Sequence, residues 1–263
     1  MEVNHRSTIH SLAKALELMD ILTRNRAPMS LQELASASGY PKSTIHTLLS
    51  TMRQYNYIEQ RPDGRYYLGT HLFECGCAVS GAWDISTAAR PHLEALSAAT
   101  QCTAVLSCLE HGSVIHIDQC ADNGSIRIVQ EIGSRLPLHA TSQGKLMLST
   151  LSQAEVVRLL SLAGMPAFTP HTITEIDALL PALQQIRAKH YAVENGEYKI
   201  GLRSIAAPVY DRDGHAHYAL GVVGLFRRID SEEFSAAVEQ VLAAAKQLSA
   251  DIGCCQAKQG EKQ

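Results

Sequence analysis

The dipeptide Asp63-Gly64, set between the β-prone runs Tyr57–Gln60 and Arg65–Leu68, constrains the first part of this chain more than any other feature. Asp-Gly in that setting favours a tight left-handed turn and closes a two-stranded hairpin. Helical periodicities come before it. Leu12, Ala15, Leu16, Met19 and Leu22 recur at helical spacing and give a first helix one apolar face, which stops at Arg26-Ala27-Pro28. Ser30 precedes Leu31, Leu34 and Ala35, with Glu33 in the first turn, so Ser30 is expected to cap a short second helix. Ser38-Gly39-Tyr40 turns the chain, and Pro41 is expected in the first turn of a third helix, where its missing N–H costs nothing. On that third helix Ile45, Leu48, Leu49 and Met52 take one side, and Lys42, Ser43, His46, Thr47 and Ser50 the other. Three helices followed by a hairpin is the order of a winged helix-turn-helix, which sets its recognition helix in the DNA major groove.

The formal net charge of −3 argues at first against nucleic acid, but its distribution carries more weight. No acidic residue falls between Glu33 and Glu59, a window that holds Lys42, His46 and Arg53, with Arg61 and Arg65 just beyond. On a recognition helix Lys42 is expected at a phosphate, while Ser43, Thr44, His46 and Thr47 supply short donors to the groove. Arg61 and Arg65 flank the hairpin tip, within reach of the backbone or a minor groove. The competing reading, a merely solvated helix face, leaves the order of helices and hairpin unexplained.

At 263 residues the chain accommodates two domains. The expected division is a winged helix-turn-helix over residues 1–69, a linker helix over 70–83, a larger domain over 84–253 and a polar tail over 254–263. In the larger domain a helix around Ile85–Leu96 leads into strands at Thr103–Leu109, Val114–Gln119 and Ile126–Val129. Helices are expected around Gly144–Thr150, Ala154–Ala163 and Glu175–Lys189, and strands at Ser204–Tyr210 and His217–Val223. A last helix is expected to open on a capping box of Asp230 and Glu233. Strands grouped with flanking helices indicate an α+β domain with an antiparallel sheet.

No apolar run reaches the ~18 residues of a membrane span, and the N-terminus lacks the pattern of a secretory signal, which together favour the cytoplasm. Seven cysteines are then expected as reduced thiols. Cys102, Cys108, His111, His116 and Cys120 fall within one strand pair, but without C-x₂-C spacing and split between two faces, so no metal or other cofactor is expected there. His139 and Ser142 lack a nucleophile elbow or a third partner, which disfavours the rival reading of an enzyme with an appended helical interaction module. A plain oligomerisation module would leave the third helix's polar face unused.

Three segments are more specific. Leu31 to Leu49 with Gly64-Arg-Tyr-Tyr-Leu-Gly69, then Leu136 to Lys145, then Glu197 to Val209, resemble in order the IclR family of bacterial regulators, over about Ser7 to Gly253. The resemblance implies a DNA-binding transcriptional regulator with a profilin-like or GAF-like effector domain. It also implies a homodimer or tetramer on a pseudo-palindromic double-stranded operator, and a small carboxylate effector such as an oxo acid or sugar acid. Carried over by motif position, the effector residues are Ile128, Leu136, Ser142, Gln143, Gly144, Glu194, Leu202, Ser204, Gly221 and Val223. Amides of Ser142, Gln143 and Gly144 at a helix N-terminus suit an anion. Gly221 and Val223 replace serines found in some members, which implies a roomier pocket, and Glu194 replaces a common aspartate.

Overall fold

The computed structural model describes residues 9–82, 84–121 and 131–253. The chain divides into two compact units, Met1–Trp83 and Asp84–Gln263.

The first unit contains α1 (His10–Asn25), α2 (Leu31–Ser38), α3 (Lys42–Gln54), the hairpin β1 (Ile58–Gln60) and β2 (Tyr66–Leu68), and α4 (Thr70–Ala82). Ser30 and Glu33 form the reciprocal cap expected of them, Ser30 Oγ accepting from the Glu33 amide and the Glu33 carboxylate from the Ser30 amide. Pro41 stands one residue earlier than expected, extended at ψ 139° just before the helix. The hairpin pairs Ile58 with Leu68 and Gln60 with Tyr66, and Gly64 takes φ 83° at its tip. Leu18, Ile21, Leu22, Leu34, Ile45, Leu49, Ile58 and Tyr66 fill the core.

The apolar face of α1 is therefore rotated from the expected one. Leu22 is buried, but Leu12 and Leu16 remain 55% and 52% exposed, because Leu18 and Ile21 face the core instead. Ile9, Leu12 and Leu16 form a second apolar stripe that this unit does not cover. Gly69 ties the hairpin to α4: a Cβ there would lie 2.1 Å from the Asn56 carbonyl oxygen, so only glycine fits.

The second unit begins with α5 (Asp84–Thr100) and the hairpin β3 (Thr103–Glu110) and β4 (Ser113–Cys120). A two-residue strand β5 (Arg135–Leu136) follows, then α6 (Ser142–Thr150), α7 (Gln153–Ala163) and α8 (Ile176–Lys189). The chain ends with β6 (Ala192–Asn195), β7 (Arg203–Tyr210), β8 (Ala216–Gly224) and α9 (Glu232–Asp251). The six strands form one antiparallel sheet in the order β5-β4-β3-β8-β7-β6. Ala192, Ala206 and Ala219 join the cluster built by α6, α7 and α8 on one face. Their neighbours in sequence, such as Ile205 and Leu220, are buried against the other, where α5 and α9 pack. Small residues on the first face let α6 approach the sheet closely.

The expected cap of the last helix is corrected. Ser231, not Asp230, caps α9, its Oγ accepting from the Phe234 amide, while Asp230 is drawn into an ion pair with Arg228. β6, a four-residue strand on the sheet edge, is an addition to the expected elements. The strand expected at Ile126–Val129 and the effector residue Ile128 lie outside the described residues, as do the tail and Trp83. Among the described residues no helix is long and apolar enough to cross a membrane.

Candidate nucleic-acid interface and buried polar site

The exposed side of α3 carries Lys42, Ser43, His46 and Thr47, with Thr44 half-buried. Lys42 Nζ lies 2.5 Å from Gln32 Oε1 on α2, and Thr47 Oγ1 donates to the Ser43 carbonyl at 3.0 Å. These are weak commitments, and the amphiphilic helix keeps its donors at the surface. On the hairpin, Arg61 is exposed and passes over the Tyr67 ring at 5.8 Å. Arg65 is engaged differently: its guanidinium donates to Glu33 at 3.0 Å and to the Pro28 carbonyl at 3.1 Å. That inward pair orients the hairpin on α2, and Arg61 is the more exposed cation of the two.

In the second unit Ser142, Gln143, Glu194 and Ser204 come together at the start of α6, and all four are buried. Close packing positions them. A Cβ on Gly144 would sit 2.5 Å from the carbonyl oxygens of Pro137 and Leu138, so glycine seats the first turn of α6 against that segment. Thr141 caps the helix and its Oγ1 takes the Gly144 amide at 3.0 Å. Of the three amides expected to face a ligand, that of Gly144 is taken by the cap, and among the described residues those of Ser142 and Gln143 have no bond of this kind.

A chain of hydrogen bonds crosses the site. Ser142 Oγ donates to Ser204 Oγ at 2.8 Å, and Ser204 Oγ donates to Glu194 Oε2 at 3.1 Å. Glu194 Oε1 accepts from the Glu197 and Tyr198 amides at 2.7 and 3.1 Å. Burial pushes the Glu194 carboxyl above its ordinary range, opposed by those amides and by the Ser204 hydroxyl. Next to it Lys145 Nζ meets Glu197 Oε1 at 2.5 Å, with side chains only 5% and 11% exposed. Among the described residues, Gln143 Nε2 and Glu197 Oε2 are buried with no hydrogen-bond partner.

Thr141, Gln143, Glu194, Tyr198, Lys199, Leu202, Ser204 and Val223 line a cavity of about 20 Å³. That space holds one water, not an organic acid. The expected roominess is not found, because Gly221 is not a vacated site: a Cβ there would be 2.1 Å from the Ile205 carbonyl oxygen, so glycine serves a close strand approach. Leu136 is not brought to this cavity either. It lies on β5, at the opposite edge of the sheet from Glu194 on β6, inside the apolar cluster under α6 to α8. Sequence reading missed the Lys145–Glu197 pair, Tyr198 and Lys199, although all lie inside the quoted motifs. No periodicity marks a lysine as buried.

Among the described residues, the cysteines and histidines of β3 and β4 form no group of three converging donor atoms. Cys108 and His116 point to opposite faces, and burial pushes the Cys102 and Cys108 thiols up to about 11.

Residues 11–62 match the model of the IclR helix-turn-helix domain, and residues 77–250 that of the bacterial transcriptional regulator IclR C-terminal domain. Over 246 residues the chain is 33% identical to the HTH-type transcriptional regulator XynR of Escherichia coli (strain K12), covering 93% of this chain and 98% of that one. The crystal structure of an IclR transcriptional regulator from Alicyclobacillus acidocaldarius is similar at 27% identity with a TM-score of 0.80, over 94% of this chain and all of that one. An IclR homologue from Microbacterium hydrocarbonoxydans, crystallised with 4-hydroxybenzoate, shares the fold with a TM-score of 0.78 at 24% identity, over 92% and 98% of the two chains.

Proposed function

The chain belongs to the IclR family of bacterial transcriptional regulators, and on that footing we propose that a small hydroxylated carboxylate, bound between α6 and the β6–β7 edge, sets its affinity for a DNA operator. It is a DNA-binding regulator with an effector domain rather than an enzyme. The acid class is the finer step. One observation carries it: Gln143 Nε2 is buried and unpartnered in the wall of the cavity, in the first turn of α6. That donor and the Ser142 and Gln143 amides at the N-terminus of α6 form an electropositive side, and Lys199 adds a cation to the cavity lining. Glu194 on the other side repels a second carboxylate but accepts hydrogen bonds from hydroxyls. A molecule with an acid at one end and hydroxyls at the other matches both. The 4-hydroxybenzoate held by the Microbacterium hydrocarbonoxydans homologue has this division of groups.

The cavity must enlarge to admit such a ligand, so the Ser142–Ser204–Glu194 chain is the part that opens. Calorimetry on the full chain with sugar acids, hydroxybenzoates and oxo acids tests this. A hydroxylated acid should bind, and the Ser204→Val, Glu194→Leu double variant should lose at least ~10-fold in affinity. Equal binding by the variant, or binding of bare oxo acids alone, would overturn the assignment.

The DNA face is proposed as α3 with the hairpin tip. Lys42→Ala should weaken all duplexes and reduce the salt slope by about one unit. His46→Ala and Thr47→Ala should each cost ~1–3 kcal/mol on the operator and relax one base position. Unchanged operator affinity in both of the latter would show that another face reads the bases. We further propose that the regulator works as a homodimer or tetramer in the cytoplasm. The exposed stripe Ile9, Leu12 and Leu16 with exposed Phe73 supports pairing, since single winged helices bury too little surface for tight specific binding.

A further inference from the structure

The turn between β7 and β8 gathers a carboxylate and two imidazoles that the regulatory reading leaves unused. Asp211 closes it: the Asp211 amide donates to the His215 carbonyl at 2.9 Å, and the Gly214 amide donates back to the Asp211 carbonyl at 3.1 Å. Asp211 Oδ1 accepts from the Asp213 and His215 amides at 2.9 and 2.8 Å, which fixes the carboxylate. Its Oδ2 lies 3.3 Å from His217 Nε2, and His215 Nδ1 stands 4.0 Å from Oδ1. One donor atom from each of the three residues falls within 4.8 Å of the others. The imidazoles are 73% and 56% exposed, so they can rotate without moving the backbone, whereas Asp211 is 25% exposed and anchored.

We propose that Asp211, His215 and His217 form a binding site for one divalent transition-metal ion of the zinc class, with a further position open to water. Two imidazole nitrogens and a carboxylate oxygen are the donor set such ions favour, and imidazole discriminates against calcium and magnesium. Metal–donor bonds of roughly 2.0–2.2 Å put tetrahedral ligands about 3.4 Å apart. The Asp211–His217 separation already meets this, and His215 closes the remainder by a side-chain rotation. The two amides on Asp211 play the orienting part that outer partners play at metal sites. Within the described residues this is the group of His, Cys, Asp and Glu side chains so arranged.

The test uses the untagged full chain, stripped of metal with a chelator, and titrated at neutral pH with zinc chloride by calorimetry and with cobalt chloride by visible absorption. One equivalent per chain is expected, with the weak d–d bands of nitrogen and oxygen ligation. His215→Ala and His217→Ala should each weaken binding at least ~10-fold while keeping the metal-free melting temperature of the parent. Cys75 and Cys77 on α4 are a competing thiol pair, so Cys75→Ser, Cys77→Ser should retain the equivalent. Unchanged affinity in both histidine variants, no binding at all, or thiolate charge-transfer absorption would overturn the proposal.

Discussion

Lys145→Met is expected to lower the unfolding free energy by about 3–5 kcal/mol, as removal of one partner from a buried ion pair does. Methionine keeps most of the apolar stem and deletes the charge, so packing changes little. What remains is Glu197, with one oxygen already unpartnered and the other deprived of its ammonium, three residues from the equally buried Glu194. Two carboxylates then share a low-dielectric corner with no cation between them. The double variant Lys145→Met, Glu197→Leu should recover most of the loss, because replacing both members of such a pair by apolar groups is often close to neutral. Urea unfolding of the three proteins measures this. A loss under about 1 kcal/mol in the single variant would place the pair in the surface class.

The second large effect is expected at Gly69→Ala. The added Cβ meets the Asn56 carbonyl oxygen at 2.1 Å and the Asn56 and Tyr57 carbonyl carbons at 2.9 Å, and all three are backbone atoms. A flexible side chain could yield, but here the hairpin must move. Overpacking costs typically ~1–3 kcal/mol and more when the neighbour is rigid, a large share of what a unit of some eighty residues has to lose. The same joint carries the Gly69 amide bond to the Tyr57 carbonyl at 2.8 Å and the edge-on contact of Tyr57 with His71. Operator binding should fall at least ~10-fold at 37 °C, while calorimetric binding of any effector to the second unit persists. Parent-like operator affinity and melting would show that the joint relaxes freely.

How much the sequence disclosed follows from how each feature is encoded. The Ser30 cap, the turn at Gly64 and the long amphipathic helices depend on neighbours a few residues apart, and the sequence signals them locally. Burial of α1 was read a step out of phase because Leu12 and Leu16 continue the same periodicity, yet they face away from the core. Spacing shows that a helix has an apolar face, not whether its own unit covers it. β6 and the Asp230 assignment failed for lack of a local signal strong enough to oppose its neighbours. The buried polar site needed contacts across 52 and 62 positions, Lys145 to Glu197 and Ser142 to Ser204, that no window contains. Motif transfer brought Ser142, Gln143, Glu194 and Ser204 to one place. Leu136, carried over by the same motifs, lies on β5 at the opposite sheet edge from β6, outside the closed cavity, because position in a motif carries no information on which edge a strand occupies.

The closed state of the cavity bears on how much effector the regulator needs. If only a small fraction of molecules is open, the apparent dissociation constant is the intrinsic one divided by that fraction. In the pocket proposed above, the hydrogen-bond chain from Ser142 through Ser204 to Glu194 then acts as a set point: each ~1.4 kcal/mol added to the closed form raises the detection threshold about tenfold. Because Glu194 and Ser204 also face the ligand in the proposed pocket, a change that loosens this latch alters the threshold and the recognition of the molecule together.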